Sequence, residues 1–309
     1  MRRIRAEAAR QPHTLEVVGA NPTSTTNGVA RHYENLRGWD RGTIIKRGEG
    51  MKVVAVELPA DIDTLKIEVF ADLHIGDRQC DMPLIRSRVE ALAKDSTAYC
   101  ILNGDILNNA TKTSVSDCYS EAFTPMEQIQ QAVELFAPVR EKILAITTGN
   151  HERRTYNKEG IDLMEVFARQ MGLYDRFSPA SVLLFVSFGA AERRKSDGRR
   201  MTYSLFVNHG SGGGRKEGAK AIRLADMAAI VDADVYIHSH THLPMVMKQA
   251  FYRVHPNNRS AALVSKLFVN TAATLDYGGY GDAQEYKPAS KDTPTIYLDG
   301  HRRGMTARL

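Results

Sequence analysis

The chain has 309 residues, 43% of them hydrophobic and 25% charged, with a formal net charge of +5 and a pI near 9.0. That length holds one large domain or two small ones, and the composition is ordinary for a soluble globular protein. The mild basic excess suits an anionic substrate but is too small to establish nucleic-acid binding.

Other features narrow the class further. The three cysteines, Cys80, Cys100 and Cys118, lack metal-type spacing, and so few unpaired thiols fit a reducing, cytoplasmic setting. The longest apolar run, residues 182–191, falls short of the roughly 20 residues that a membrane helix needs, so no membrane partner is expected. Met1-Arg2-Arg3-Ile4-Arg5 has charge with no apolar stretch after it, unlike a secretory signal.

Residues 1–50 carry no sustained period, and Asn21-Pro22-Thr23-Ser24-Thr25-Thr26-Asn27-Gly28 is turn chemistry. They are read as an irregular basic extension before a single domain over 51–309. The arm Arg2, Arg3, Arg5, Arg10 is read as a solvated tail or a surface strap before a nucleic-acid contact. Residues 51–58 alternate, ended by Pro59, and predict a strand at a sheet edge.

Five strand-length apolar runs follow, at residues 65–70, 98–102, 143–146, 204–207 and 235–237. Helical patterns separate most of them. Asp81 caps a segment with Ile85, Val89 and Leu92 on one face. Thr124-Pro125-Met126-Glu127 is a capping box with proline at the first helical position, and Met126, Ile129, Val133 and Phe136 follow at helical spacing as core. Ile161, Met164, Ala168 and Met171 make another amphipathic helix, with Gly172 just past its end. The alternation predicts βαβ units and a mostly parallel sheet.

Residues 182–188 and 202–207 read as neighbouring strands of a second sheet. The charged loop between them, 191–200, is read as a solvated turn in preference to a phosphate contact. Residues 245–254, 262–270 and 295–298 are strand-like and are expected to complete that second sheet. No repeat or low-complexity segment appears.

Each of the five runs ends in a polar stretch: Asp72-Leu73-His74, Gly104-Asp105, Gly149-Asn150-His151-Glu152, His209-Gly210 and His240-Thr241-His242. Ligands in open α/β sheets bind at the carboxyl ends of strands. Together the stretches bring Asp, His and Asn, and no Cys, to one edge, a donor set suited to a pair of divalent metals. The ordered set resembles that of the calcineurin-like metallophosphoesterase superfamily, with the distal third similar to phage-encoded members. The motifs span residues 72–242. The departure within them is Ser239, where glycine is usual; a position needing positive φ would be strained there.

The resemblance implies an α/β fold, a four-layer sandwich of two mixed β-sheets flanked by helices. It implies that Asp72, His74 and His242 hold one metal, that Asn150, His209 and His240 hold the other, and that Asp105 bridges them. Asn150 would bind through its amide oxygen, which alone of its side-chain atoms offers a lone pair. An extended His240-Thr241-His242 would point both imidazoles the same way. Manganese is the expected metal, with iron, zinc and magnesium as alternatives. Attack by a metal-bridged hydroxide is the implied reaction. His151, one residue beyond a ligand, would protonate the leaving oxygen or stabilise the transition state.

Three further features are weighed. Gly149-Asn150-His151-Glu152-Arg153-Arg154 matches the G-N-H-E-x-R of the superfamily's protein phosphatases, but Asn108 and Ala110 depart from their G-D-x-V-D-R-G. Phosphate binding by Arg154 therefore stands level with a surface ion pair. Gly210-Ser211-Gly212-Gly213-Gly214-Arg215-Lys216 lacks P-loop spacing; its amides or Arg215 meeting substrate stands level with a flexible connection. His238 is read as a satisfied core histidine. The expected activity is metal-dependent hydrolysis of a phosphate ester, favouring a diester in DNA, RNA or a nucleotide. A phosphomonoesterase or protein phosphatase is the alternative, and a non-catalytic scaffold a lesser one. Oligomeric state is not legible.

Overall fold

The computed structural model describes residues 43–47, 51–112, 114, 118–190 and 200–309. The basic arm, residue 113, the stretch 115–117 and the charged loop 191–199 lie outside the described residues. Strands form over the predicted apolar runs, and also at residues 177–178 and at 43–47, which the sequence alone places in the irregular extension. They are β1 (Thr43–Arg47), β2 (Lys52–Glu57), β3 (Thr64–Phe70), β4 (Ala98–Asn103), β5 (Ile143–Thr147), β6 (Phe177–Ser178), β7 (Ser181–Phe188), β8 (Met201–Asn208) and β9 (Val235–His238). Four more complete the set: β10 (Met245–His255), β11 (Ser260–Asn270), β12 (Thr295–Asp299) and β13 (Met305–Arg308).

These strands make two mixed sheets, ordered β13-β12-β3-β4-β5-β6 and β1-β2-β7-β8-β9-β11-β10. Within the first, β3, β4, β5 and β6 run parallel. Within the second, β8, β9 and β11 do. Val69, Ile101 and Leu144 of the first sheet pack with Leu184, Leu205, Val207 and Ile237 of the second to make the core between the sheets.

The outer faces carry the helices. α1 (Met82–Lys94), α2 (Pro125–Phe136), α3 (Asn150–Glu159) and α4 (Leu163–Gln170) follow the strands of the first sheet. Ile85, Val89, Leu92, Ile129, Phe136 and Phe167 pack on its outer face against Phe70, Cys100, Leu102 and Ile146. α5 (Glu217–Asp226) sets Leu224 against Phe206, Tyr236 and Phe268 on the outside of the second sheet. The result is the four-layer sandwich. The helix starts behave as their sequences require: Asp81 accepts from Leu84 N, and Thr124 and Glu127 form a reciprocal capping box. Among the described residues no helix is long and apolar enough to cross a membrane.

Four sequence expectations need correction. β2 is not at an edge, because β1 pairs with it antiparallel on one side and β7 parallel on the other. β12 joins the first sheet, antiparallel to β3, and not the second. Met126 and Ile161 are 62% and 51% exposed, since the buried stripe of α2 runs through Gln128, Ile129, Ala132 and Leu135 and that of α4 begins at Leu163. Helical spacing locates a stripe's period but not its width, and one apolar residue at a helix start often lies off it.

Tyr203 ties the sheets together at the end away from the motifs. Its buried hydroxyl accepts from Gly304 N at 3.0 Å and lies 2.7 Å from the Asp299 carbonyl, to which its proton can be given. Tyr203→Phe leaves these backbone groups without their partner. We expect it to lower stability by about 1–3 kcal/mol, read as a fall in the urea midpoint at unchanged m. No shift would mean that water replaces the hydroxyl.

Candidate metal centre

The carboxyl ends of β3, β4 and β5 in one sheet and of β8 and β9 in the other open on the same edge, so the five motif stretches converge there. Backbone hydrogen bonds lace them together. Asp72 N donates to Gly104 O at 3.1 Å, and Leu73 N and His74 N both donate to Asp105 O. Close approach explains the motif glycines: a Cβ on Gly149 would lie 2.1 Å from Asp105 Oδ1, and one on Gly104 would lie 2.6 Å from Gly149 N.

Asp72, His74 and His242 bring ligand atoms within 4.8 Å of one another, as do Asp105, His209 and His240. Asn150 joins the second group, its Oδ1 3.2 Å from His209 Nε2, in keeping with binding through the amide oxygen. Asp105 belongs to both halves: its Oδ2 is 3.3 Å from His209 Nε2, while His74 and His151 share a further cluster with it. All seven expected ligand positions therefore meet. His238 does not join them; it is buried with Nδ1 2.7 Å from Asn270 Oδ1.

The donor set fits cations. Asp72 Oδ1 and His74 Nδ1 are buried without a hydrogen-bond partner among the described residues. His242 Nε2 comes within 3.3 Å of Asp72 Oδ1 but is not aligned to bond it. His74 Nε2 and His242 Nε2 face each other at 3.4 Å. At that distance either one ring donates its N–H to the other or both lone pairs turn to a shared cation. His209 Nδ1 donates to Asn103 O at 2.7 Å, which directs its Nε2 lone pair to the cluster.

The electrostatics match. Burial favours the neutral acid for Asp105, yet His209 and His151 hold it well below the usual carboxylate range. Burial likewise disfavours imidazolium at His209, but Asp105 and Asp72 override it and raise it to about 10. Burial and the His151 charge push His74 well down. Burial, then Asp105, raises Glu152 to about 7. Glu152 accepts from the amides of Asp105, Leu107 and Gly149, and so braces the loop that carries Asp105.

The backbone at the centre is unusual. Asp72, His74, Asp105, Asn109, His240 and His242 all have φ between 44° and 64°. Hence the expectation of an extended His240-Thr241-His242 fails: two left-handed residues send His240 toward His209 and His242 toward His74. Ser239 is absent from the positive-φ residues, so serine in place of glycine is unstrained. Its buried hydroxyl accepts from Asn103 Nδ2 at 2.7 Å, and Asn103 also takes Thr147 Oγ1 at 2.8 Å. Sequence reasoning missed Asn103, whose only signal is a polar residue at the end of an apolar strand.

His151 lies at the rim. Its Nδ1 donates to Asn108 O at 2.7 Å, and its Nε2 takes a guanidinium N–H of Arg154 at 2.9 Å. Burial lowers it, against Asp105, and Arg154 adds to the lowering. Arg154 also reaches Asn108 O at 3.2 Å and lines the cavity. That cavity, about 400 Å³, includes His74, Asp105, Asn150, His151, His240 and His242 in its wall. Arg215 is not in the wall; its guanidinium lies 5.1 Å from the ring centroid of Tyr286, which is. Lys220, unmarked in the sequence, lines the cavity and donates to Thr241 O at 2.7 Å. Arg200 from the charged loop donates to Leu58 O and meets Glu57 instead.

No known family profile matches the sequence, and no curated protein does. Solved structures with similarity include Vacuolar Protein Sorting 29 from Cryptosporidium parvum, 14% identical, covering 79% of this chain and 97% of that one at a TM-score of 0.38. A metallophosphoesterase from Sphaerobacter thermophilus is 11% identical, covering 78% and 90% at 0.35. A predicted phosphoesterase from Streptococcus pneumoniae is 13% identical, covering 79% and 98% at 0.33. Likeness that low says nothing of activity. The ordered motif set at the strand ends of a two-sheet sandwich is the one that the resemblance to the calcineurin-like metallophosphoesterase superfamily implies. The chain has the calcineurin-like metallophosphoesterase fold.

Asp105 is the one carboxylate shared by both groups of donors. For Asp105→Ala we expect bound manganese, measured by elemental analysis after dialysis, to fall well below that of the unaltered chain. Two metals retained per chain would refute its bridging place.

Proposed function

We propose that the protein is a metal-dependent phosphoesterase that favours diesters. The observation that carries this reading is the convergence of seven oxygen and nitrogen donors beside a non-donor pair, His151 and Arg154, in one cavity. Two divalent cations held by Asp72, His74 and His242 and by Asn150, His209 and His240, with Asp105 between, would supply Lewis-acid charge and an activated water.

The chain's own groups account for the rest. With its Nδ1 proton committed to Asn108 O, His151 has Nε2 as the atom that exchanges a proton in the cavity. A phosphoryl oxygen arriving at the rim takes over the Arg154 N–H that now rests on Nε2. Nε2, having taken a proton from solvent, gives it to the departing ester oxygen as that P–O bond breaks and the oxygen of a water bonds to phosphorus in its place. Arg154 holds a non-bridging oxygen with its planar fork.

A diester carries one negative charge at phosphorus and a poor leaving alkoxide, so it gains most from a proton donor. A monoester dianion needs more positive charge around its terminal oxygens. Protein phosphatases of this superfamily carry further arginines in G-D-x-V-D-R-G, where this chain has Gly104-Asp105-Ile106-Leu107-Asn108-Asn109-Ala110. Asn108 is occupied elsewhere, donating to Asp77 and Glu121. Arg154 is the observation on the side of a monoester.

Two measurements test the reading. His151→Gln keeps size and polarity outside the ligand set, and we expect near-normal metal content with kcat down about 10²- to 10⁴-fold. Unaltered turnover, or lost metal, would give His151 another role. In manganese at neutral pH, kcat/KM for bis-p-nitrophenyl phosphate should exceed that for p-nitrophenyl phosphate. A clear monoester preference would replace the diesterase reading with the phosphomonoesterase one.

A further inference from the structure

The cavity has a second wall for which phosphoester chemistry alone provides no role. Residues 276–289, between β11 and β12, contribute Tyr277 and Tyr286 to it, and the two rings remain 52% and 43% exposed. The segment is anchored on both sides of the cavity. Asp276 N donates to Gln79 O at 2.8 Å, and Lys291 Nζ joins Asp81 to Asp276. Across the opening, Lys287 Nζ meets Glu217 of α5 at 2.8 Å. Large, half-exposed rings beside the donor cluster can receive something flat, on Tyr286 by the face away from the Arg215 guanidinium.

The rest of the wall agrees. Gly212, Gly213 and Gly214 line the same cavity and present only backbone, and a Cβ on Gly213 would meet nothing within 4 Å. That leaves room for a thin group. Lys220, Lys287 and Arg154 put positive charge on the lining. The volume of about 400 Å³ falls within the span of about 300–1,000 Å³ typical of small-molecule sites, which suits one nucleotide.

We infer that the Tyr277–Tyr286 wall stacks a nucleobase, so that the substrate class is a nucleoside phosphate ester with its phosphorus at the metal centre. This rests on the phosphoester reading of that centre. Bases of any identity have a π-face, so such a wall recognises the ring without reading its sequence. A free nucleotide and the terminal nucleotide of a strand share this chemistry.

The test uses the full manganese-loaded chain and compares adenosine 5′-monophosphate with ribose 5-phosphate by calorimetry. The two differ by the base alone. Adenosine 5′-monophosphate should bind about 5- to 100-fold more tightly, the usual worth of one stacked base. Tyr277→Leu/Tyr286→Leu, which keeps bulk without rings, should shrink that ratio to near one, and the double Phe variant should keep it. Equal affinities in the unaltered chain, or a ratio untouched by the Leu pair, would overturn the inference. A 5′-phosphorylated ten-nucleotide strand that competes with the mononucleotide supports a strand end as the source; one that fails to compete supports a free nucleotide.

Turnover separates this from the activity itself. Thymidine 5′-p-nitrophenyl phosphate and methyl p-nitrophenyl phosphate release the same phenolate, and the nucleoside ester should be preferred. Equal turnover of both would overturn the stacking wall and leave the esterase standing. If neither is hydrolysed while the adenosine preference persists, the esterase reading falls and the base-binding wall stands.

Discussion

Asp105 is the point on which both halves of the centre depend. Its carboxylate is fully enclosed, and it is held ionised there by two imidazoles, His209 just past β8 and His151 in the first turn of α3. An enclosed, ionised carboxylate is costly unless paired and hydrogen-bonded. One partner follows β8 of the second sheet and the other opens the helix after β5 of the first, so the sandwich must close for the charge to be tolerated. The carboxylate equally serves the fold: Oδ1 takes the His151 amide at 2.8 Å, and the Asp105 carbonyl takes two amides from the loop after β3.

The strain at the centre has the same logic. Six of the non-glycine residues with left-handed backbone lie in or beside the motif stretches. Such conformations cost on the order of 1–3 kcal/mol each and persist where surrounding contacts over-determine them. Here the contacts are visible. Asp72 Oδ2 takes His240 N at 3.0 Å, Glu152 takes three amides, and Asn103 connects Thr147, Ser239 and Asn208. A centre held this firmly needs little rearrangement to receive cations or charge in a transition state. The tyrosine wall is built differently, from a segment fastened by lysine–carboxylate pairs at its ends. Its geometry depends on surface electrostatics more than on the core, which gives recognition and chemistry separate supports.

Much of this was legible in the chain. The five apolar runs and their polar ends marked five of the strands and the carboxylates and imidazoles that gather at their ends, because strand length and donor chemistry are local properties. The capping residues Asp81 and Thr124 marked helix starts for the same reason. Pairing partners were not local. Nothing within residues 295–298 says that they lie beside β3 instead of β10 or β11, and nothing within 51–58 says that β1 covers their free edge. The left-handed turns at His240 and His242 were hidden too, since such turns favour glycine and only contacts from other strands hold a histidine there.

The sequence by itself determined which atoms are available for chemistry: two aspartates, an asparagine amide and four imidazoles as donors, with His151 beside them. Their spacing after strands placed them at one edge of the fold. Only the tertiary structure decided where Arg154 rests, that Arg215 stands off the cavity, and that Lys220, Tyr277 and Tyr286 enter it. The reason is physical. A strand end specifies the direction of its own side chains, but a cavity wall is assembled from segments distant in the chain, and its makeup follows from how the two sheets and α5 pack.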